Sequence, residues 1–229
     1  MVTGGSKGIG KAILEKFAME GFDVVTCARK LDGLNRIKAE LESKYGIQAH
    51  IHSADMADKK QVHAFTDFVN SLGRPVDVLV NNAGYFIPGR VTEEPEGTLA
   101  SMIESNVYSA YYTTRGLVKS MQERKEGHIF TMCSIASIAA YPNGGSYTIS
   151  KFALLGFSKV LREELKAYNI RVTAILPGAT LTASWEGVDL PEERFIRPED
   201  VADIVYAAHA LSGRSVVEEV LIRPQLGDI

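Results

Sequence analysis

Thr3-Gly4-Gly5-Ser6-Lys7-Gly8-Ile9-Gly10 joins a short apolar opening, Met1–Thr3, to an amphipathic stretch over residues 8–20. Glycines let a backbone turn tightly and come close to a ligand. The first turn of a helix offers unpaired N–H groups and the positive end of its dipole. A glycine-rich loop between a first strand and a first helix therefore reads as a cradle for a pyrophosphate. Taken alone, the same glycines would also suit a turn needed only for packing.

Outward from this loop, short apolar segments alternate with amphipathic ones along the whole chain. Strands are expected at Met1–Thr3, Asp23–Ala28, Ala49–Ser53, Val76–Asn81, Gly127–Cys133, Arg171–Leu176 and Val217–Ile222. Several are unbroken Val/Ile/Leu runs, as in parallel strands buried on both faces. Helices are expected near residues 8–20, 31–45, 58–72, 96–124, 147–168 and 198–211, with Asp58 and Pro198 at helix starts. The alternation predicts an α/β fold: a Rossmann-type doubly wound sheet of about seven parallel strands, with helices on both faces, in a single domain over residues 1–229. The first strand has at most three residues, where about five or six is usual. Either the fold tolerates a clipped first strand or translation starts upstream.

The 229 residues, 45% of them hydrophobic, suffice for one sizeable core. A net charge of −3 speaks against nucleic acid or an anionic membrane surface as the main partner. No apolar run approaches the roughly 18 residues of a membrane span. Cys27 and Cys133 lie in apolar segments and read as reduced core thiols of a cytoplasmic protein. His50 and His52 share a strand face without an evident third ligand, so no metal site is expected.

Chemistry concentrates in Ser134, Tyr147 and Lys151. A free tyrosine has a pKa near 10 and is a poor base at neutral pH. A lysine four residues on shares its helix face. At roughly 4 Å and an effective dielectric of about 20, that charge is worth on the order of 4 kcal/mol. This is about three pKa units, enough to bring the phenol near 7, where acid–base catalysis works best.

The glycine loop, Asn81-Asn82-Ala83-Gly84, Asn106, Ser134, Tyr147, Lys151 and Pro177-Gly178 occur together and in this order. With that set the chain resembles the short-chain dehydrogenase/reductase family from Thr3 to about Ile222. The resemblance implies an oxidoreductase in which Tyr147 exchanges a proton with the substrate oxygen. Lys151 would lower the tyrosine pKa and hold the nicotinamide ribose, Ser134 would donate to the carbonyl oxygen, and Asn106 would hold a water linking Lys151 to solvent. It places Thr3, Gly4, Ser6, Lys7, Gly8, Ile9 and Gly10 on the cofactor phosphates, with Asn82, Ala83 and Gly84 along its ribose. Pro177, Gly178 and Thr182 would close over the nicotinamide.

The second strand ends Thr26-Cys27-Ala28-Arg29-Lys30, with no carboxylate for a ribose hydroxyl. Arg29 and Lys7 instead suit a 2′-phosphate, which favours NADP(H) over NAD(H). Asp55 matches an adenine-contacting aspartate and would equally serve as a helix cap. Tyr85, Phe86, Ala140, Tyr141 and Trp185 lie on loops after strands and are candidates for the substrate cleft. The short Thr182–Pro198 segment suggests a small or open pocket for an aldehyde, ketone or hydroxy acid.

The tail Val216–Ile229 lacks the Val-Asp-Gly-Gly ending of oxoacyl-carrier-protein reductases and is more similar to serine and 3-hydroxy acid dehydrogenases and carbonyl reductases. The leading expectation is thus an NADP(H)-dependent oxidoreductase interconverting a small carbonyl compound and its alcohol. The alternatives are a 3-oxoacyl-thioester reductase and a non-catalytic NADP(H)-sensing protein. Tyr108, Tyr111 and Tyr112 in the long helix belong either to the core or to a subunit interface, and the resemblance implies a homodimer or homotetramer.

Overall fold

The computed structural model describes residues 1–185 and 187–229. Seven parallel strands form one sheet: β1 Val2–Thr3, β2 Val24–Ala28, β3 Ala49–Ser53, β4 Val78–Asn81, β5 Gly127–Met132, β6 Ile170–Pro177 and β7 Glu219–Ile222. Their spatial order is β3-β2-β1-β4-β5-β6-β7. The helices are α1 Gly8–Met19, α2 Leu31–Tyr45, α3 Lys59–Ser71, α4 Thr98–Ile103, α5 Ser109–Arg124, α6 Gly145–Leu165 and α7 Pro198–Ala210. As expected, Asp58 caps α3, accepting from the Lys60 amide at 2.8 Å, and Pro198 opens α7.

Alternate side chains along each strand feed opposite faces. Val78, Val80, Phe130 and Ile175 pack under α1, α2 and α7, whereas Leu79, Ile129 and Val172 pack under α3, α5 and α6. Double-sided burial is why these strands read as continuous apolar runs. The short β1 holds its place through backbone bonds to both neighbours. Val2 and Thr3 pair with Thr26 and Cys27, and Val2 pairs with Val80. Inside this seam the Thr26 hydroxyl donates to the Val2 carbonyl at 2.7 Å and accepts from the Gly5 amide at 3.1 Å.

Two departures from the sequence reading matter for function. The single helix expected over residues 96–124 is two helices joined by a π-turn, Glu104–Tyr108, with Asn106 at its centre. The helix expected from residue 147 begins two residues earlier, at Gly145. Among the described residues no helix is long and apolar enough to cross a membrane.

Candidate active site

The chain leaves β1 and β4 in opposite directions across the sheet, so their C-terminal ends open a crevice. Two side chains join the loops that leave it. Asn82 Nδ2 donates to the carbonyls of Thr3 (2.9 Å) and Gly4 (3.3 Å). The Thr3 hydroxyl accepts from the amides of Asn82 (3.0 Å) and Ala83 (2.9 Å). Gly8 begins α1 with φ +56°, a conformation that L side chains rarely adopt. Lys7 supplies no side-chain cap to α1 and its first turn carries no acidic residue, so the positive end of the helix faces the crevice uncompensated. Across the crevice, a Cβ at Gly84 would come within 2.8 Å of Asn106 Oδ1. Glycine at 84 lets this loop pack directly on the Asn106 side chain.

The segment after β6 covers this loop. Gly178 donates to the Ile222 carbonyl at 2.8 Å, and Thr180 pairs with Ile196 in an isolated β-bridge. Thr182 Cγ2 lies 3.2 Å from where a Gly8 Cβ would stand. Of Pro177, Gly178 and Thr182, Thr182 is the one that meets the glycine loop, while Pro177 and Gly178 pack against the strand Glu219–Ile222 and Pro224. Arg29 and Lys7 are exposed at the same edge, and among the described residues neither forms an ion pair. Asp55 makes a local turn, its Oδ1 accepting from the Ala57 amide at 3.0 Å.

Tyr147 and Lys151 lie one turn apart on α6. Lys151 Nζ is 5.6 Å from the Tyr147 ring centre and donates to the Met132 carbonyl at 2.8 Å. Ser134 follows β5 and caps the 3₁₀ turn Ile135–Ser137: its Oγ accepts from the Ala136 amide at 3.1 Å, while the Ser137 hydroxyl accepts from the Ser134 amide at 3.2 Å. Ser134 lies beside the Tyr147 phenol and acts to lower its pKa. Phe86 packs its ring at 71° to that of Tyr147, 4.8 Å between centres.

Here the electrostatic expectation needs correction. In the protein alone, burial pushes the Tyr147 pKa above its ordinary value, and the lowering effect of Ser134 does not offset it. Burial also pulls Lys151 down to about 8. Desolvation of both groups outweighs the attraction expected between phenolate and ammonium at about 4 Å. The ammonium is turned toward a strand carbonyl, away from direct contact with the phenol.

Asn106 is 1% exposed and uses its side chain structurally. Its Oδ1 accepts from the Tyr85 amide at 3.0 Å, and its Nδ2 donates to the Tyr85 carbonyl at 3.2 Å and to Ser150 Oγ at 2.9 Å. Ser150 in turn donates to the Tyr147 carbonyl at 2.7 Å. Among the substrate candidates, Tyr85 is exposed at the cleft and its hydroxyl meets Ser101. Burial of its hydroxyl and the nearby Tyr147 push Tyr141 up to about 12. Trp185 instead packs on Phe195, with ring centres 5.3 Å apart, inside the covering segment.

The family model described as short chain dehydrogenase matches residues 1–192. The chain belongs to the short chain dehydrogenase family. It is 31% identical to the sepiapterin reductase of Chlorobaculum tepidum, over 100% of this chain and 97% of that one. An alcohol dehydrogenase from the archaeon Thermococcus sibiricus, solved with 5-hydroxy-NADP, superposes with a TM-score of 0.92 at 29% identity, covering 98% of this chain and 95% of that one. The L-sorbose reductase of Gluconobacter frateurii, solved with NADPH and L-sorbose, gives 0.89 at 31% identity, covering 97% and 94%.

Three residues of this short chain dehydrogenase site were not singled out as functional from sequence. Ser146 and Ser150 lie outside the ordered motif set, and Glu94 belongs to no motif. Ser150 joins Asn106 to α6. Glu94 and Ser146 bond one another across 52 residues. Only a fold that brings two loops together reveals such a pair.

Proposed function

We propose that the chain is an NADP(H)-dependent oxidoreductase that interconverts a small carbonyl compound and its alcohol, with Tyr147 as general acid and base. The observation that carries this reading is Tyr147 itself. Its ring packs on Phe86 beside Ser134, and burial favours the protonated phenol at neutral pH. A protonated phenol is the acid that carbonyl reduction needs. Ser134 stabilises the oxygen on which negative charge grows. Lys151 replaces the proton and, held by Met132, stays on the correct face. Bound NADPH would supply the hydride. Its pyrophosphate would rest on residues 3–10, its 2′-phosphate on Arg29 and Lys7, and its ribose along Asn82, Ala83 and Gly84. The NADP- and NADPH-bound structural relatives support that choice of cofactor. Tyr85, Phe86 and Tyr141 would receive an uncharged, largely apolar carbonyl. The test is oxidation of NADPH, followed by absorbance, with a panel of aldehydes, ketones and ketoses. Failure of every member to oxidise NADPH would argue instead for the non-catalytic sensor.

The exposed apolar side chains Tyr111 on α5 and Ile149, Phe152 and Val160 on α6 support a homodimer or homotetramer built on these helices. Sedimentation equilibrium should then give two or four times the 25.0 kDa chain mass. A monomer at micromolar concentration would refute it.

A further inference from the structure

The catalytic helix α6 has no cap of its own. Its N-cap residue is Gly144, which has no side chain, and its first turn contains no acidic residue. A helix of 21 residues still presents unpaired N–H groups and a positive dipole end there. Glu94, from the loop after β4, fills the role. Its Oε1 accepts from the Ser146 amide at 2.9 Å, the second N–H of the helix, and its Oε2 accepts from the Ser146 hydroxyl. Among the described residues, no lysine, arginine or histidine lies in an ion pair with this carboxylate. The helix end is its counter-charge.

The surrounding backbone is shaped around the contact. Gly145 has φ +26°, and a Cβ there would stand 2.1 Å from Glu94 Oε1 and 2.5 Å from the Gly89 carbonyl. A Cβ on Gly89 would stand 2.6 Å from Glu94 Cγ. Gly89 donates to the Asn143 carbonyl at 2.9 Å and bridges Gly144. The loop of Tyr85 and Phe86 is thereby stitched to the loop of Tyr141, one residue before Tyr147 in the case of Ser146.

We infer that Glu94 is a positioning residue that caps the catalytic helix in place of a local cap and joins the two loops forming the wall of the carbonyl pocket. Its effect on turnover rests on the function proposed above; its effect on the loops does not. The test pairs two readouts on the full chain. Amide hydrogen exchange of Glu94→Ala should rise roughly tenfold or more at Gly89 and at residues 144–148, while the Asn82 and Ala83 amides, held by Thr3, keep their protection. With NADPH and any carbonyl that wild type reduces, the carbonyl KM should rise roughly tenfold while the NADPH Kd stays within about twofold. Glu94→Gln keeps an acceptor for the Ser146 amide and should remain close to wild type in both. Unchanged exchange at residues 144–148 would overturn the inference, as would an equal rise at Asn82 and Ala83, which marks general loss of stability. If wild type reduces no carbonyl, the proposed activity fails and the exchange pattern alone decides the role of Glu94.

Discussion

At the scale of single residues, the proposed NADP(H) preference is assigned to Arg29. The residue lies at the end of β2, is exposed, and is without an ion pair among the described residues, so its guanidinium is free to fork onto a phosphate. A charge-assisted hydrogen bond of this type contributes about 1.5–3 kcal/mol. Arg29→Asp should therefore reduce the NADPH-over-NADH preference in binding by about 10–100-fold, measured by titrating each cofactor against intrinsic fluorescence. Equal affinity of wild type for both cofactors would contradict the assignment. Ser134, Tyr147 and Lys151 were legible in the sequence as candidates, through their residue types and the resemblance to the family. Their titration was not, since burial is a tertiary property: Tyr147 goes up and Lys151 goes down to about 8 because the fold removes both from water.

At the scale of elements, strand positions followed from continuous apolar runs, and the boundaries agree within two residues at most ends. The π-turn at Glu104–Tyr108 left no such mark. Its residues carry no proline or glycine, and Asn106 at its centre bonds both the Tyr85 backbone and Ser150, contacts that only the fold creates. Strand β5 holds another tertiary effect. His128 is fully buried, stacks on Phe130 with ring centres 3.9 Å apart, and bonds the Thr173 hydroxyl at 2.8 Å. Burial drops its pKa from 6.5 to about 2, and His209 is lowered in the same sense. The unfolded chain takes up these protons below about pH 6.5 while the folded chain does not, so stability is full above that pH and falls as pH drops through it. The urea midpoint should decline between about pH 7.5 and pH 5, and less steeply in His128→Gln. An identical decline in the variant would show that other groups carry the acid sensitivity.

At the scale of the molecule, the order of sheet and helices locates the site before any side chain is considered. The sheet reverses its winding between β1 and β4, and the glycine loop, Asn82, Asn106 and the helix α6 all converge above that point. Alternation of elements along the sequence predicted this architecture. Contacts between the loop after β4 and the start of α6 were beyond reach, because Glu94 and Ser146 are joined only once both crossovers have formed. A cavity of about 290 Å³ beside Met1, Phe17 and Val24 lies at the other end of the strands and has no part in this chemistry. The central claim is that Tyr147 transfers the proton in an NADPH-linked reduction. Its most direct test is the rate of NADPH oxidation by Tyr147→Phe against wild type, with the best carbonyl from the panel and NADPH saturating. A loss of about 10²–10⁴-fold with unaltered NADPH binding is the predicted result, and a variant that turns over at the wild-type rate would contradict the account.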